Sequence, residues 1–141
     1  MQKVLTAAQI REVDRLTTER YGIQSIILME NAAHAVVRAI TQRLDGSVRG
    51  KRILILCGKG NNGGDGFAVA RILWNAGATI TVLLMFPDNE IGGDAKQNLN
   101  ILRGLQSVQG SDTEPAICLA EVGTHHIFFD RLDTFFGPEV I

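Results

Sequence analysis

The feature that most limits how this chain can fold is the junction between "RILILC", residues 52–57, and "GKGNNGGDG", residues 58–66. Ile53 to Cys57 is apolar without alternation, the pattern of a strand buried on both faces of a parallel sheet. Glycine loses more backbone freedom on folding than any other residue, so Gly58, Gly60, Gly63, Gly64 and Gly66 make the next stretch costly to order. That stretch must do something that side chains would obstruct.

The sequence on either side gives the junction its setting. Phe67, Val69, Ala70, Ile72, Leu73 and Ala76 support a helix that Gly77 can end, and "TITVLLMF" then reads as a second strand stopped by Pro87-Asp88. Strand, helix and strand in that order form a βαβ unit, whose crossover is almost always right-handed. "IGGDAKQNLNILRGL" repeats the helical step, with Asp94 near its start and Ala95, Leu99, Leu102 and Leu105 as its buried face. "AICLAEV" and "HHIFFD" read as short strands, the second ending in Asp130.

Two helices precede this core. Thr6 and Gln9 have the spacing of a capping box, Ile10, Val13 and Leu16 recur at helical intervals, and Gly22 can supply a left-handed stop. Ser25 is placed to cap a second helix with a broad apolar stripe through Leu28, Met29, Ala32, Ala33, Val36, Val37 and Ile40, closed by Asp45-Gly46. The expectation is an α/β fold in one domain, residues 1–141: a Rossmann-like, mostly parallel sheet flanked by helices, with an α-helical N-terminal arm.

Charge narrows the partners. With 14 basic and 15 acidic residues the chain carries no electrostatic footprint for nucleic acid or an anionic membrane. No stretch approaches the roughly 18 apolar residues of a membrane span. The N-terminus lacks the apolar core of a signal peptide. Cys57 and Cys118 have neither zinc-site spacing nor the density of a disulfide scaffold. A soluble, cytoplasmic domain is expected.

Gly58-Lys59-Gly60-Asn61-Asn62-Gly63 formally matches G-x-G-x-x-G, which lets backbone approach a pyrophosphate at a helix N-terminus. An NAD-binding domain also wants an acid closing the second strand, for which Asp88 is the nearest candidate. A P-loop wants Gly-Lys-Ser/Thr, and this chain has Gly-Gly-Asp. Asn61 and Asn62 can ligate a hard monovalent cation or read a polar ring, while Asp65 is a good helix cap in its own right. A tight turn with capping side chains is the alternative account.

"GKGNNGGDGFAVARIL" resembles the signature loop of the NAD(P)HX epimerase family, also called the YjeF N-terminal domain. "YGIQSIILMENAA" and "GDAKQNLNIL" resemble the same family in the expected order, so the likeness runs from Leu5 to Leu105. It implies a Rossmann-like domain, often a homodimer, that interconverts the R and S epimers of hydrated NADH and NADPH (NADHX and NADPHX). A dehydratase, separate or fused to the same chain, completes the repair. Carried over by residue, Asn61, Asn62, Gly63, Gly64 and Asp65 would contact the hydrate, and Asn62 and Asp130 would ligate potassium.

Beyond Asp130 the family pattern is not followed. A second glycine loop of the type Phe-Gly-Thr-Gly has only Phe136-Gly137 as a counterpart, and the family's Asp-Ile-Pro-Ser-Gly segment does not occur before Ile141. The sequence therefore reads as a domain truncated at its C-terminus, with no catalytic acid or base assigned. A non-catalytic nucleotide-binding or dimerisation module that keeps the loop is the rival reading, and an NAD-dependent oxidoreductase a third. His125 and His126 would point to opposite faces of a strand, His34 reads as a partly buried polar group, and Glu30-Asn31 either faces the site or lies on a polar helix face. Phe128, Phe129, Phe135 and Phe136 read as core or dimer contacts.

Overall fold

The structure, a computed structural model, describes residues 4–108 and 116–122. His125, His126, Asp130 and the four C-terminal phenylalanines lie outside the described residues. Helices α1 (Ala7–Tyr21) and α2 (Ser25–Arg43) come first, followed by β1 (Arg52–Cys57), α3 (Asn61–Asn75), β2 (Thr79–Leu84), α4 (Gly93–Val108) and β3 (Ile117–Glu121). Among the described residues the three strands are parallel, in the order β1-β2-β3. Ile80 of β2 is opposite Ile53 on one side and Ile117 on the other.

The local signals at the N-terminus act as the sequence implies. Thr6 Oγ1 accepts from the Gln9 amide at 3.2 Å, and the Gln9 side chain accepts from the Thr6 amide at 2.8 Å, completing the capping box. Gly22 closes α1 with φ of 69°, where a side chain would be strained. Ser25, expected as a cap, is instead the first residue of α2 behind Gln24, and its hydroxyl donates to Asp94 in the first turn of α4. That bond joins residues 69 apart in sequence, a partnership that local spacing cannot reveal.

Ile80, Val82, Leu84 and Ile117 pack with Phe67, Ala70 and Leu73 of α3 and Ala95, Leu99 and Leu102 of α4 in one core, so both helices cover the same sheet face. The second helix packs on α3 and touches α4, while α1 contributes no buried residue and contacts α2. The inward stripe of α2 is narrower than expected. Met29 and Ala33 are buried, and Val37 and Ile40 are partly so, but Val36 remains 45% exposed and Ala32 faces out.

The strand buried along its length is β2, not β1. Ile80 to Leu84 are all buried, whereas Ile53, Leu54 and Ile55 are half-buried and Leu56 is 61% exposed. Among the described residues β1 stands at the end of the sheet, with a neighbour on one flank. An apolar run alone does not say which flank will be occupied. Strand β2 also ends at Leu84, two residues before Phe86, as the chain bends toward a 3-10 turn over Asp88–Glu90.

Helix α3 starts at Asn61, so Asn61 to Gly66 form its first turns and the loop proper is Gly58 to Gly60. Three of the helix glycines are there for close packing. A Cβ on Gly63 would fall 1.9 Å from the Gly58 carbonyl oxygen, one on Gly64 would fall 2.6 Å from Met29 Cε, and one on Gly66 would fall 2.7 Å from Cys57 Sγ. The buried thiol of Cys57 has its pKa pushed up to about 12 by burial, so it stays neutral and acts as a packing group.

Gly66→Ala should therefore lower stability by about 1 to 3 kcal/mol, as overpacking does. Adding Cys57→Ala removes the obstructing sulfur and should restore part of the loss in a urea-melt cycle. Gly104 of α4 would meet nothing within 4 Å, so Gly104→Ala should raise stability by about 0.5 to 1 kcal/mol. A Gly66→Ala protein as stable as the parent would contradict this packing account.

Candidate functional site

Beyond the carboxyl end of β1, Leu56, Gly58, Gly60, Asn61, Asn62 and Gly63 line a cleft of about 390 Å³. The first amides of any helix lack intrahelical partners, and those of Asn61, Asn62 and Gly63 stand at this start. The Gly64 amide already donates to the Gly60 carbonyl at 3.1 Å. Gly60 is the N-cap, extended at φ −92° and ψ −168°, and no side chain caps the helix. Asp65, expected as a cap on its own account, lies in the second turn and does not fill that role.

Gly58 and Gly60 differ from the glycines that follow. A Cβ at either would meet nothing within 4 Å, and neither has a left-handed φ. Packing thus accounts for Gly63, Gly64 and Gly66, whereas neither packing nor a left-handed backbone accounts for the two loop glycines. What the absence of side chains at 58 and 60 provides is bare backbone facing the cleft, beside the positive end of a helix dipole.

The expected contact residues separate into two sets. Asn61, Asn62 and Gly63 line the cleft, with both asparagines exposed. Gly64 is buried against Met29 and Ala95, and Asp65 is half-buried near α1. Burial first, and then the charge of Asp14 on α1, holds the Asp65 carboxyl above the ordinary aspartate range. Leu56, read from the sequence as a buried strand residue, is a cleft wall that the apolar run concealed.

Neighbouring charges are mostly paired. Glu30 bridges to Arg71 of α3 at 2.5 Å and lies 3.5 Å from His34 Nε2, which fixes Glu30 as a clamp between α2 and α3. His34 is 50% exposed, more open than the sequence suggested, because it sits outside the narrow inward stripe of α2. Asp88 lies beyond the end of β2 and takes Lys96 at 2.6 Å and Arg103 at 3.0 Å, which hold its carboxyl below the usual range. It is thus committed to the connection into α4 rather than closing the strand.

The cleft's side-chain donors are amides, whose hard carbonyl oxygens suit an alkali or alkaline-earth cation and not a soft metal. Among the described residues no three His, Cys, Asp or Glu side chains come together as a metal cage. The Asn62 side-chain carbonyl has the chemistry that one oxygen ligand of a hard cation requires.

The model of the YjeF-related protein N-terminus family matches residues 25–134, which take in α2, the glycine loop and the three strands of the described residues. The chain belongs to this family. A bifunctional NAD(P)H-hydrate repair enzyme Nnr of Moorella thermoacetica is 51% identical over 98 residues, covering 70% of this chain and 18% of that protein. An NAD(P)H-hydrate epimerase of Pirellula staleyi is 40% identical over 132 residues, covering 94% of this chain and 56% of that protein. The crystal structure of yeast ynu0, YNL200c, superposes with a TM-score of 0.68 at 25% identity, covering 89% of this chain and 49% of that one. This chain thus spans from under a fifth to little more than half the length of these family relatives.

The raised Asp65 carboxyl has a signed consequence. An acid with a raised folded pKa binds its proton more readily folded than unfolded, so stability falls as pH climbs from the ordinary aspartate range to the raised value. Asp65→Asn should raise the urea midpoint at neutral pH, and the two proteins should converge below the ordinary aspartate range. Parallel stability curves at every pH would contradict this environment for Asp65.

Proposed function

We propose that this family member acts on the hydrated nicotinamide coenzymes NADHX and NADPHX as an epimerase, an isomerase that interconverts their R and S forms. The observation that carries this reading is the cleft at the uncapped start of α3, where Gly58 and Gly60 are bare for no packing reason and Asn61 and Asn62 stand exposed beside them. Family membership and relatives named for NAD(P)H-hydrate epimerisation or repair support it.

In this reading, main-chain amides of the loop and first helical turn receive the coenzyme's phosphates, and Asn61 and Asn62 hydrogen-bond the hydrated ring. The hydroxyl and the ring nitrogen share one carbon. An aspartate carboxyl protonates the hydroxyl, water departs, and the nitrogen lone pair forms a flat iminium. Water then adds to the opposite face and returns its proton to the carboxylate, so no net acid is consumed. Asn62, together with Asp130, would hold potassium, which would supply fixed positive charge beside the substrate's anionic groups. The proposal extends to a homodimer in the cytoplasm, working with a fused or separate NAD(P)H-hydrate dehydratase.

The test is exchange between R and S NADPHX by this chain, with and without potassium. Acceleration over the spontaneous rate is expected. Gly58→Ala and Gly60→Ala should each slow exchange about tenfold or more, because each methyl intrudes on ligand; Gly58→Ala should leave stability within about 0.5 kcal/mol, and Gly60→Ala should cost about 1 kcal/mol through the weaker N-cap. Asn62→Ala should slow exchange and blunt its response to potassium. Binding of the hydrate without exchange would reduce the chain to a nucleotide-binding module, and full activity in both glycine variants would refute the bare-backbone cradle.

A further inference from the structure

A group of side chains next to the cleft is left unused by this account. The Met85 amide donates to the Cys57 carbonyl at 2.9 Å, so the chain leaving β2 runs beside the start of the glycine loop. Phe86 follows, 40% exposed. Lys59, the loop's middle residue, reaches across to this segment: its Nζ lies 2.8 Å from the Glu90 carboxylate and 5.0 Å from the centre of the Phe86 ring. The glycine loop and the segment after β2, far apart in sequence, thus present a cation, an acid and a half-exposed aromatic ring at the carboxyl end of β2.

In open α/β sheets the helix after the first strand takes a dinucleotide's pyrophosphate, and the carboxyl end of the second strand takes the ribose of its adenosine half. An acid there bonds the ribose hydroxyls, and a cation there accepts a 2′-phosphate. This corner holds both. We propose that Lys59, Phe86 and Glu90 form the subsite for the adenosine end of the dinucleotide, and that Lys59 reads the ribose 2′-phosphate. The proposal rests on the reading that the cleft takes a dinucleotide, and it adds which coenzyme is preferred.

Charge supports the phosphorylated form. Within these ion pairs the two carboxylates of Asp88 and Glu90 on the 3-10 turn are met by three cations, Lys59, Lys96 and Arg103. The carboxylate of Asp88 is shared by Lys96 and Arg103, so Lys59 answers to Glu90 alone in these ion pairs. With side chains 51% and 45% exposed, the Lys59–Glu90 pair is a weak surface contact, and a phosphate dianion can compete for the ammonium. The half-exposed Phe86 ring, which carries the Lys59 ammonium over it, is the aromatic surface that a purine at this corner would meet.

Calorimetric titration of the full chain with ADP-ribose and with 2′-phospho-ADP-ribose tests this without any hydrated ring. The 2′-phosphorylated compound should bind about tenfold more tightly, the worth of one charge-assisted contact. Lys59→Ala should bring that ratio close to one, Lys59→Arg should keep it, and Phe86→Ala should weaken both ligands alike. A ratio near one in the parent protein, or one that survives Lys59→Ala, overturns the proposal. Binding of neither compound overturns it together with the dinucleotide reading, whereas a Lys59-dependent ratio without epimer exchange upholds it and removes the epimerase alone.

Discussion

The arrangement depends on how closely α3 sits against the end of β1. No side chain separates them: Gly63 rests on the Gly58 carbonyl, and Gly66 lies over Cys57 and Ile55. Gly64 continues the same close approach on the other side of the helix, against Met29 of α2 and Ala95 of α4. A methyl at any of the three positions would lie within 3.0 Å of a neighbouring atom, so something must shift: backbone at Gly63, where the obstruction is the Gly58 carbonyl, and the Met29 or Cys57 side chain at Gly64 or Gly66. Because α3 also carries Phe67, Ala70 and Leu73 into the core, a movement of the helix would disturb the packing on the sheet as well as the cleft.

This seating separates two uses of glycine that the sequence presents as one motif. Glycines within the helix let helix, strand and neighbouring helices meet. The two in the loop leave backbone bare where the helix begins, and Gly60, as N-cap, contributes no side chain to occupy the first amides. A cap of serine or aspartate would satisfy one of those amides internally and stabilise the helix by a few tenths of a kcal/mol over glycine. Forgoing that stabilisation at a cleft lined by Asn61 and Asn62 leaves polar backbone for another molecule to satisfy.

Electrostatics divides the molecule similarly. Glu30–Arg71 and Lys96–Asp88–Arg103 are partly shielded contacts that tie α2 to α3 and the 3-10 turn to α4. Asp65 carries the opposite tendency, a half-buried carboxyl that burial and Asp14 make harder to ionise. Groups held away from their ordinary ionisation concentrate at functional sites, where their cost is offset by packing elsewhere.

Local chemistry was readable from the chain. The Thr6–Gln9 box, the left-handed Gly22, the helix end at Gly77 and the strand-helix-strand order each depend on residues a few positions apart, and each appears where its spacing implies. The motif of residues 58–66 also carried enough information to indicate the family. Tertiary structure decided what neighbours far along the chain impose: that β2 and not β1 is buried throughout, that Ser25 joins Asp94, that Leu56 walls the cleft, and that Lys59 reaches Glu90 and Phe86. Sequence periodicity reports that a residue is apolar or polar, but the partner that buries or pairs it is set only when the chain folds back, and the role of each glycine follows from that partner.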